Sequence, residues 1–195
     1  DRSIMLYTGI LAILKAGNAY IPIDTATPEH RIAYILKDSG IKTVLASSRN
    51  RLEGIERQID VDVLSLDRDP SANPKIKVSA TSPSYVIYTS GSTGVPKGVV
   101  VSHASVINLI NSQIVEFNIR SDERIFQFST ISFDASVEQI WLAFLTGAVL
   151  IGVEKNILHN PKQVEELLNR QKATHLHAVP AYLFSLDFKI LKYLR

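Results

Sequence analysis

The sequence predicts an α/β fold: a parallel or mixed β-sheet flanked by helices on both faces. Three observations point to it. Runs of β-branched and aromatic residues alternate with segments whose apolar residues recur at helical spacing. Helix punctuation is explicit at several places, with Gly17 and Gly40 as terminators and Thr27-Pro28 and Asn160-Pro161 as starts. Strands separated by a helix's length return parallel through right-handed crossovers. The chain has 195 residues and 46% hydrophobic content, enough to bury a substantial core.

Taken in order, Ile4 to Ala16 carries Met5, Ile10, Leu11 and Leu14 at helical spacing. Ala19 to Ile23 reads as a short strand, with Pro22 favouring an edge or a strand end. Thr27 is expected at an N-cap, with Pro28 at N1 and Glu29 in the first turn. Ile32, Ile35 and Leu36 form the stripe of that helix, and Ser39-Gly40 ends it. A strand over Ile41–Ala46, an exposed helix over Arg49–Gln58 interrupted near Gly54, and a strand over Val61–Leu66 are expected next. Residues 67–83 hold three prolines and five charges and read as a surface linker. A helix from about His103 to Phe117 follows, capped by Ser102, with Val106, Ile107, Ile110 and Ile114 inward. The remainder reads as strand Arg124–Ser129, helix Val137–Leu145 with the only Trp at 141, strand Ala148–Val153, a capped helix from Asn160-Pro161 to Arg170, and strand Thr174–Val179 ended by Pro180.

The stretch Tyr88–Gly98 organises the chain. Three glycines and a proline in eleven residues make it a loop between the apolar runs Tyr85–Tyr88 and Val99–Val101. Thr89, Ser90, Ser92 and Thr93 offer four hydroxyls, Gly91 and Gly94 let backbone N–H groups approach an anion, and Lys97 adds a charge. Such a loop suits a polyphosphate. It is not the P-loop G-x-x-x-x-G-K-[ST]: Pro96 stands at the second glycine and Gly98 follows Lys97 where a hydroxyl is needed. It also leads into a strand, so no helix N-terminus faces the phosphate.

The run Tyr88–Gly98 resembles the phosphate-binding signature of the adenylate-forming (AMP-binding) superfamily. Ile13–Asp24 resembles a second signature, found in nonribosomal peptide synthetase adenylation domains, with Asn18 departing from the usual glycine or alanine. Phe133-Asp134-Ala135-Ser136-Val137 resembles the start of their amino-acid pocket. The resemblance runs from Asp1 to about Tyr182 and implies one fragment, residues 1–195, of the large N-terminal subdomain of such a domain. It implies activation of an amino acid by ATP as aminoacyl-adenylate, then transfer to a phosphopantetheine thiol on a peptidyl carrier domain. ATP and magnesium are the implied cofactors.

Carried over residue by residue, Thr89, Ser90, Gly91, Ser92, Thr93, Gly94 and Lys97 would hold the ATP phosphates, and Asp134 the substrate α-ammonium. The residues alone leave Asp134 either a helix cap or a ligand. Glu138, one helical turn later, and His177 match pocket positions. Glu138 would receive a cationic side chain such as lysine, ornithine or arginine; its alternatives are pairing with His177 or facing solvent. The family's adenine and magnesium motif, ribose-binding Asp, hinge and catalytic lysine are expected downstream of Arg195, so the fragment alone is expected to be inactive and to need the C-terminal remainder of its domain. The alternatives are an acyl- or aryl-CoA ligase, which needs no ammonium-binding Asp, and a non-catalytic ATP-binding module.

Composition narrows the partners. The net charge of +2 is spread thinly, which argues against nucleic acid or an anionic membrane. There is no cysteine, hence no disulfide framework, thiol nucleophile or cysteine zinc site. That fits a reducing compartment, and the cytoplasm is the expected location. No apolar run approaches the ~20 residues that span a bilayer. Strand alternation would send His175 and His177 to opposite faces, away from any shared metal. Ser90, His103 and Asp134 lack the G-x-S-x-G elbow of a hydrolase triad.

Overall fold

The computed structural model describes residues 2–50, 52–63, 72–91 and 94–195. The α/β class is borne out: parallel and antiparallel sheets are flanked by helices. The chain divides into two compact units, Ile4–Ser102 and a second made of Asp1–Ser3 with His103–Arg195.

In the first unit, α1 (Ile4–Lys15) buries Ile10 and ends at Gly17, whose φ of 75° admits the left-handed turn. A Cβ there would also lie 2.9 Å from Ile76 Cγ2. The expected strand at 19–23 reduces to a single bridge, Tyr20 beside Tyr85, because Pro22 cannot donate to a ladder. Helix α2 (Glu29–Ser39) begins one residue later than expected: Pro28 occupies the N-cap position, and Thr27 instead closes a turn by donating its N–H to the Asp24 carbonyl. Its stripe and its left-handed Gly40 terminus are as expected.

Strands β1 (Thr43–Ala46) and β2 (Arg57–Asp60) pair in parallel. Among the described residues of 49–58 the expected helix does not form. Gly54 takes φ 76°, and local side chains satisfy the backbone instead. Asp62 accepts from Ser47 Oγ and from Ser48 N and Oγ, while Gln58 Oε1 accepts from Leu52 N. The strand expected at 61–66 is displaced to β2; residues 61–63 are turn, and 64–66 lie outside the described residues. So does 67–71 of the expected linker. Strands β3 (Pro83–Ser90) and β4 (Pro96–Ser102) form an antiparallel hairpin, and Tyr85 and Ile87 are buried.

In the second unit, α3 (His103–Glu116) buries Val106 and Ile110, but Ile107, expected inward, is 45% exposed. Strands β5 (Arg124–Phe126), β6 (Val149–Ile151) and β7 (His175–Leu176) form a parallel sheet in the order β6-β5-β7. Helices α4 (Asp134–Thr146) and α5 (Pro161–Arg170) supply the crossovers. Asn160 caps α5 by accepting from Lys162 N and Gln163 N, as the sequence predicts. Phe126, Ile151, Val153, Val164, Leu167, Leu168, Ala173 and Leu186 form one buried cluster. After the short helix α6 (Pro180–Leu183), the terminal segment returns to this sheet, where Arg195 N donates to the Thr174 carbonyl.

Candidate functional site

The glycine-rich hairpin is tighter than its composition implies. Register runs through Thr89↔Lys97 to Ser90↔Pro96, so the strands take in Tyr88–Ser90 and Pro96–Gly98, where a loop over 88–98 is expected. Pro96 is tolerated because it opens a strand. Gly94 N donates to the Gly91 carbonyl, and Gly94 takes φ 79°. A Cβ on Gly91 would lie 2.5 Å from the Val95 carbonyl and 3.3 Å from the Lys97 stem, so glycine is required there. Thr89, Ser90 and Lys97 are exposed and share the hairpin tip with Gly91 and Gly94. Ser92 and Thr93 lie outside the described residues. Hydroxyls, a cation and a glycine-lined turn converge there without any helix N-terminus.

In the other unit, α4 carries Asp134 and Glu138 one turn apart. Asp134 is not the N-cap: Phe133 holds that position, and Asp134 is the first helical residue. Its Oδ1 accepts from Ala135 N at 2.9 Å, and the side chain is exposed. Its place in the first turn of α4 leaves the side chain open to a ligand with a hydrogen-bond donor. Glu138 is half-buried and hydrogen-bonded to His177 Nδ1. His177 Nε2 in turn meets His175 Nε2 at 2.5 Å. The two imidazoles therefore share one side, against the expectation of opposite faces. The reason is that β7 stops at Leu176, so the pleat does not extend to His177. Phe117 packs on both rings, at centroid distances of 5.6 and 5.3 Å.

The electrostatics follow from this packing. Burial pushes the Glu138 carboxyl up, but hydrogen bonds from His177 and Gln113 and the charges of the imidazoles outweigh it and hold it below its ordinary value. Burial, reinforced by His177, pushes His175 down to about 4. Among the described residues, no group of three or more His, Cys, Asp or Glu side chains forms a metal ligand set.

Sequence comparison bears on both units at once, since the AMP-binding enzyme family matches residues 1–192. The chain belongs to the AMP-binding enzyme family. Bacitracin synthase 3 of Bacillus licheniformis is 38% identical over 95% of the chain, and gramicidin S synthase 1 of Brevibacillus brevis 37% identical over 96%. The solved nonribosomal peptide synthetase FmoA3, in its α-methyl-L-serine-AMP-bound form, superposes with a TM-score of 0.88 at 30% identity over 99% of the chain. The chain spans 3% and 18% of the two synthases and 22% of the solved chain. The family resemblance drawn from the three signatures therefore holds, and these relatives are peptide synthetases.

One residue in this AMP-binding enzyme holds His177 in place, although no motif marks it. Gln139 is fully buried; its Oε1 accepts from Ser129 N and its Nε2 donates to the His177 carbonyl, both at 3.0 Å. It ties the segment after β5 to the segment after β7, and so fixes the backbone that presents His177. The available signal was an amide beside Glu138 in an otherwise apolar stretch, Val137 to Leu142. No motif marks Arg2 either: its guanidinium donates to the carbonyls of Val153 and Phe128 at 2.8 and 2.6 Å.

Proposed function

We propose that the chain is the N-terminal part of an adenylation domain of a nonribosomal peptide synthetase, which activates an amino acid with ATP. The exposed Asp134 carboxylate at the start of α4 carries this reading. An acyl- or aryl-CoA ligase has no amine to bind and no use for an anion there. The α-ammonium donates to Asp134 through a charge-assisted hydrogen bond. Thr89, Ser90, Gly91, Ser92, Thr93, Gly94 and Lys97 hold the ATP phosphates. The substrate carboxylate attacks the α-phosphorus; the bond to the β-phosphate's bridging oxygen breaks, and pyrophosphate leaves with that electron pair. A phosphopantetheine thiol of a peptidyl carrier domain then attacks the acyl carbon, and AMP departs.

The hairpin's part is positioning and charge stabilisation, which can supply much of the barrier lowering in such a transfer. Magnesium would offset triphosphate charge, but the described residues offer no group of three or more His, Cys, Asp or Glu side chains to hold it. Glu138 and His177 line the side-chain end of the amino acid, and the substrate class is cationic. Among the described residues no helix is long and apolar enough to cross a membrane, and the proposed setting is the cytoplasm.

The test is amino-acid-dependent ATP–pyrophosphate exchange by the full-length parent, with lysine, ornithine, arginine, phenylalanine and a fatty acid as substrates. Exchange with one amino acid, abolished by Asp134→Ala, is expected. Exchange with the fatty acid alone moves the chain to the acyl-CoA ligases. ATP binding without exchange for any substrate makes it a binding module.

A further inference from the structure

We propose that Arg31 and Asp38 of α2 are positioning residues for the ATP phosphates, acting through Tyr88, the strand residue that immediately precedes the phosphate turn. The proposal rests on the reading of the β3–β4 hairpin as the phosphate site. Along β3, alternate residues turn their backbone groups to the same edge. On the edge away from β4, Tyr20 N donates to the Ser84 carbonyl and Val86 N donates to the Tyr20 carbonyl. The single bridge at Tyr20 goes no further, so the Tyr88 carbonyl, two residues beyond Val86 on the same edge, has no strand of the described residues to meet. Arg31 Nη2 donates to it at 3.3 Å. Arg31 thereby takes the place of a third strand at the point where the hairpin turns into the phosphate loop.

The side chain of the same residue is held as well. Tyr88 Oη donates to Asp38 Oδ2 at 2.7 Å. Arg31 and Asp38 stand seven residues apart, two turns on one face of α2. One helix face thus grips both the backbone and the ring of one strand residue. Gly98, opposite Tyr88 in the register, makes room: a Cβ there would lie 3.1 Å from Tyr88 Cζ and 3.1 Å from Val86 Cγ1. Burial and the Asp38 carboxylate push the Tyr88 phenol up to about 12, so it remains a donor at neutral pH. Thr89 and Ser90 follow directly, and Lys97 sits opposite Thr89. A shift of Tyr88 along the edge moves all three groups together, and small displacements of phosphate-holding groups are costly to binding.

Tyr88→Phe keeps the ring and the Arg31 contact and removes only the hydroxyl; Asp38→Asn keeps the shape and removes the charge. In ATP–pyrophosphate exchange by the full-length parent, each is expected to raise KM for ATP about 3- to 10-fold, the loss of one charge-assisted hydrogen bond. KM for the amino acid stays within about 2-fold, because Asp134 is untouched. The double variant is expected to be no worse than the weaker single one, as for two members of one interaction. Lys97→Ala separates the proposal from the reading beneath it. If Lys97→Ala leaves KM for ATP unmoved, the hairpin is not the phosphate site and both fall. If Lys97→Ala raises it while Tyr88→Phe and Asp38→Asn do not, only the anchor is overturned. A lowered Tm in those two variants with both KM values unchanged makes the contact structural and likewise overturns it.

Discussion

Glu138 and His177, two side chains carried over separately to the pocket, are each other's hydrogen-bond partners across 39 residues of chain. A cationic substrate side chain must therefore compete with an imidazole for the carboxylate. Glu138→Gln keeps a hydrogen-bonding group for His177 but removes the charge. It is expected to lower kcat/KM for lysine or ornithine by about 10- to 100-fold, the usual cost of losing a charged partner. Neutral amino acids should lose little. The pyrophosphate-exchange panel measures this, and a wild-type preference for large apolar side chains excludes the cationic assignment.

The imidazole beyond this pair predicts a pH dependence. His175 is pushed down to about 4 from an ordinary value of 6.5, so between these pH values the unfolded chain binds the proton that the folded chain refuses. More protons on the unfolded state means stability rises with pH. The contribution is present in full above 6.5 and is lost as pH falls from 6.5 towards 4. After discounting for the partly exposed ring it amounts to about 1–2 kcal/mol. The depressed Glu138 carboxyl adds loss in the same direction at the acid end. His175→Gln should flatten the change in Tm between about pH 7 and 5; an unaltered slope means that His175 does not titrate across this range on unfolding.

Gln139 predicts a stability effect larger than its surface would imply. Leu fills nearly the same volume, so Gln139→Leu leaves no large cavity. It does strand the half-buried Ser129 N–H and His177 carbonyl against a fully buried side chain. An orphaned buried group costs about 1–3 kcal/mol, so a total of about 2–4 kcal/mol for these two half-buried groups is expected in urea denaturation. Gln139→Glu restores only the acceptor and should recover part of it. Equal stability of Leu and wild type would mean that the amide's two hydrogen bonds contribute nothing net.

The sequence was legible where one local device decides the backbone. Asn160-Pro161 starts α5, Gly17 and Gly40 end their helices in left-handed turns, and the Gly/Ser run turns a hairpin. It misled where tertiary pairing outbids local pattern. Residues 49–58 have a polar helix-like composition, yet parallel pairing to β1 and the side chains of Asp62 and Gln58 claim that backbone. His175 and His177 were separated by a two-residue periodicity that holds only while a strand continues, and β7 is two residues long. Among the candidate residues of each unit, residue types and motifs mark the hairpin in one and Asp134, Glu138 and His177 in the other. The groups that hold them in place, Gln139, Arg31 and Asp38, lie outside any motif, and only their hydrogen bonds reveal them.

Two glycines, one in the hairpin and one outside it, differ in what surrounds them, and that gives the sharpest test of the phosphate turn. At Gly91 an added Cβ would stand 2.5 Å from the Val95 carbonyl, a backbone atom that cannot swing aside, and 3.3 Å from the Lys97 stem. Gly91→Ala must open the turn and displace Lys97. A stability loss of about 1–3 kcal/mol and a rise in KM for ATP of at least about 10-fold are expected. Gly54 is the control: it has φ 76° with nothing near its missing Cβ, so Gly54→Ala meets backbone strain of about 1 kcal/mol and no neighbour. Its KM for ATP should not move. Thermal melts and exchange kinetics of the two variants, side by side in the full-length parent, distinguish a turn shaped for phosphate from one that is merely glycine-rich. If Gly91→Ala loses stability while its KM for ATP stays with that of Gly54→Ala, the close approach of Gly91 to Val95 serves the hairpin alone.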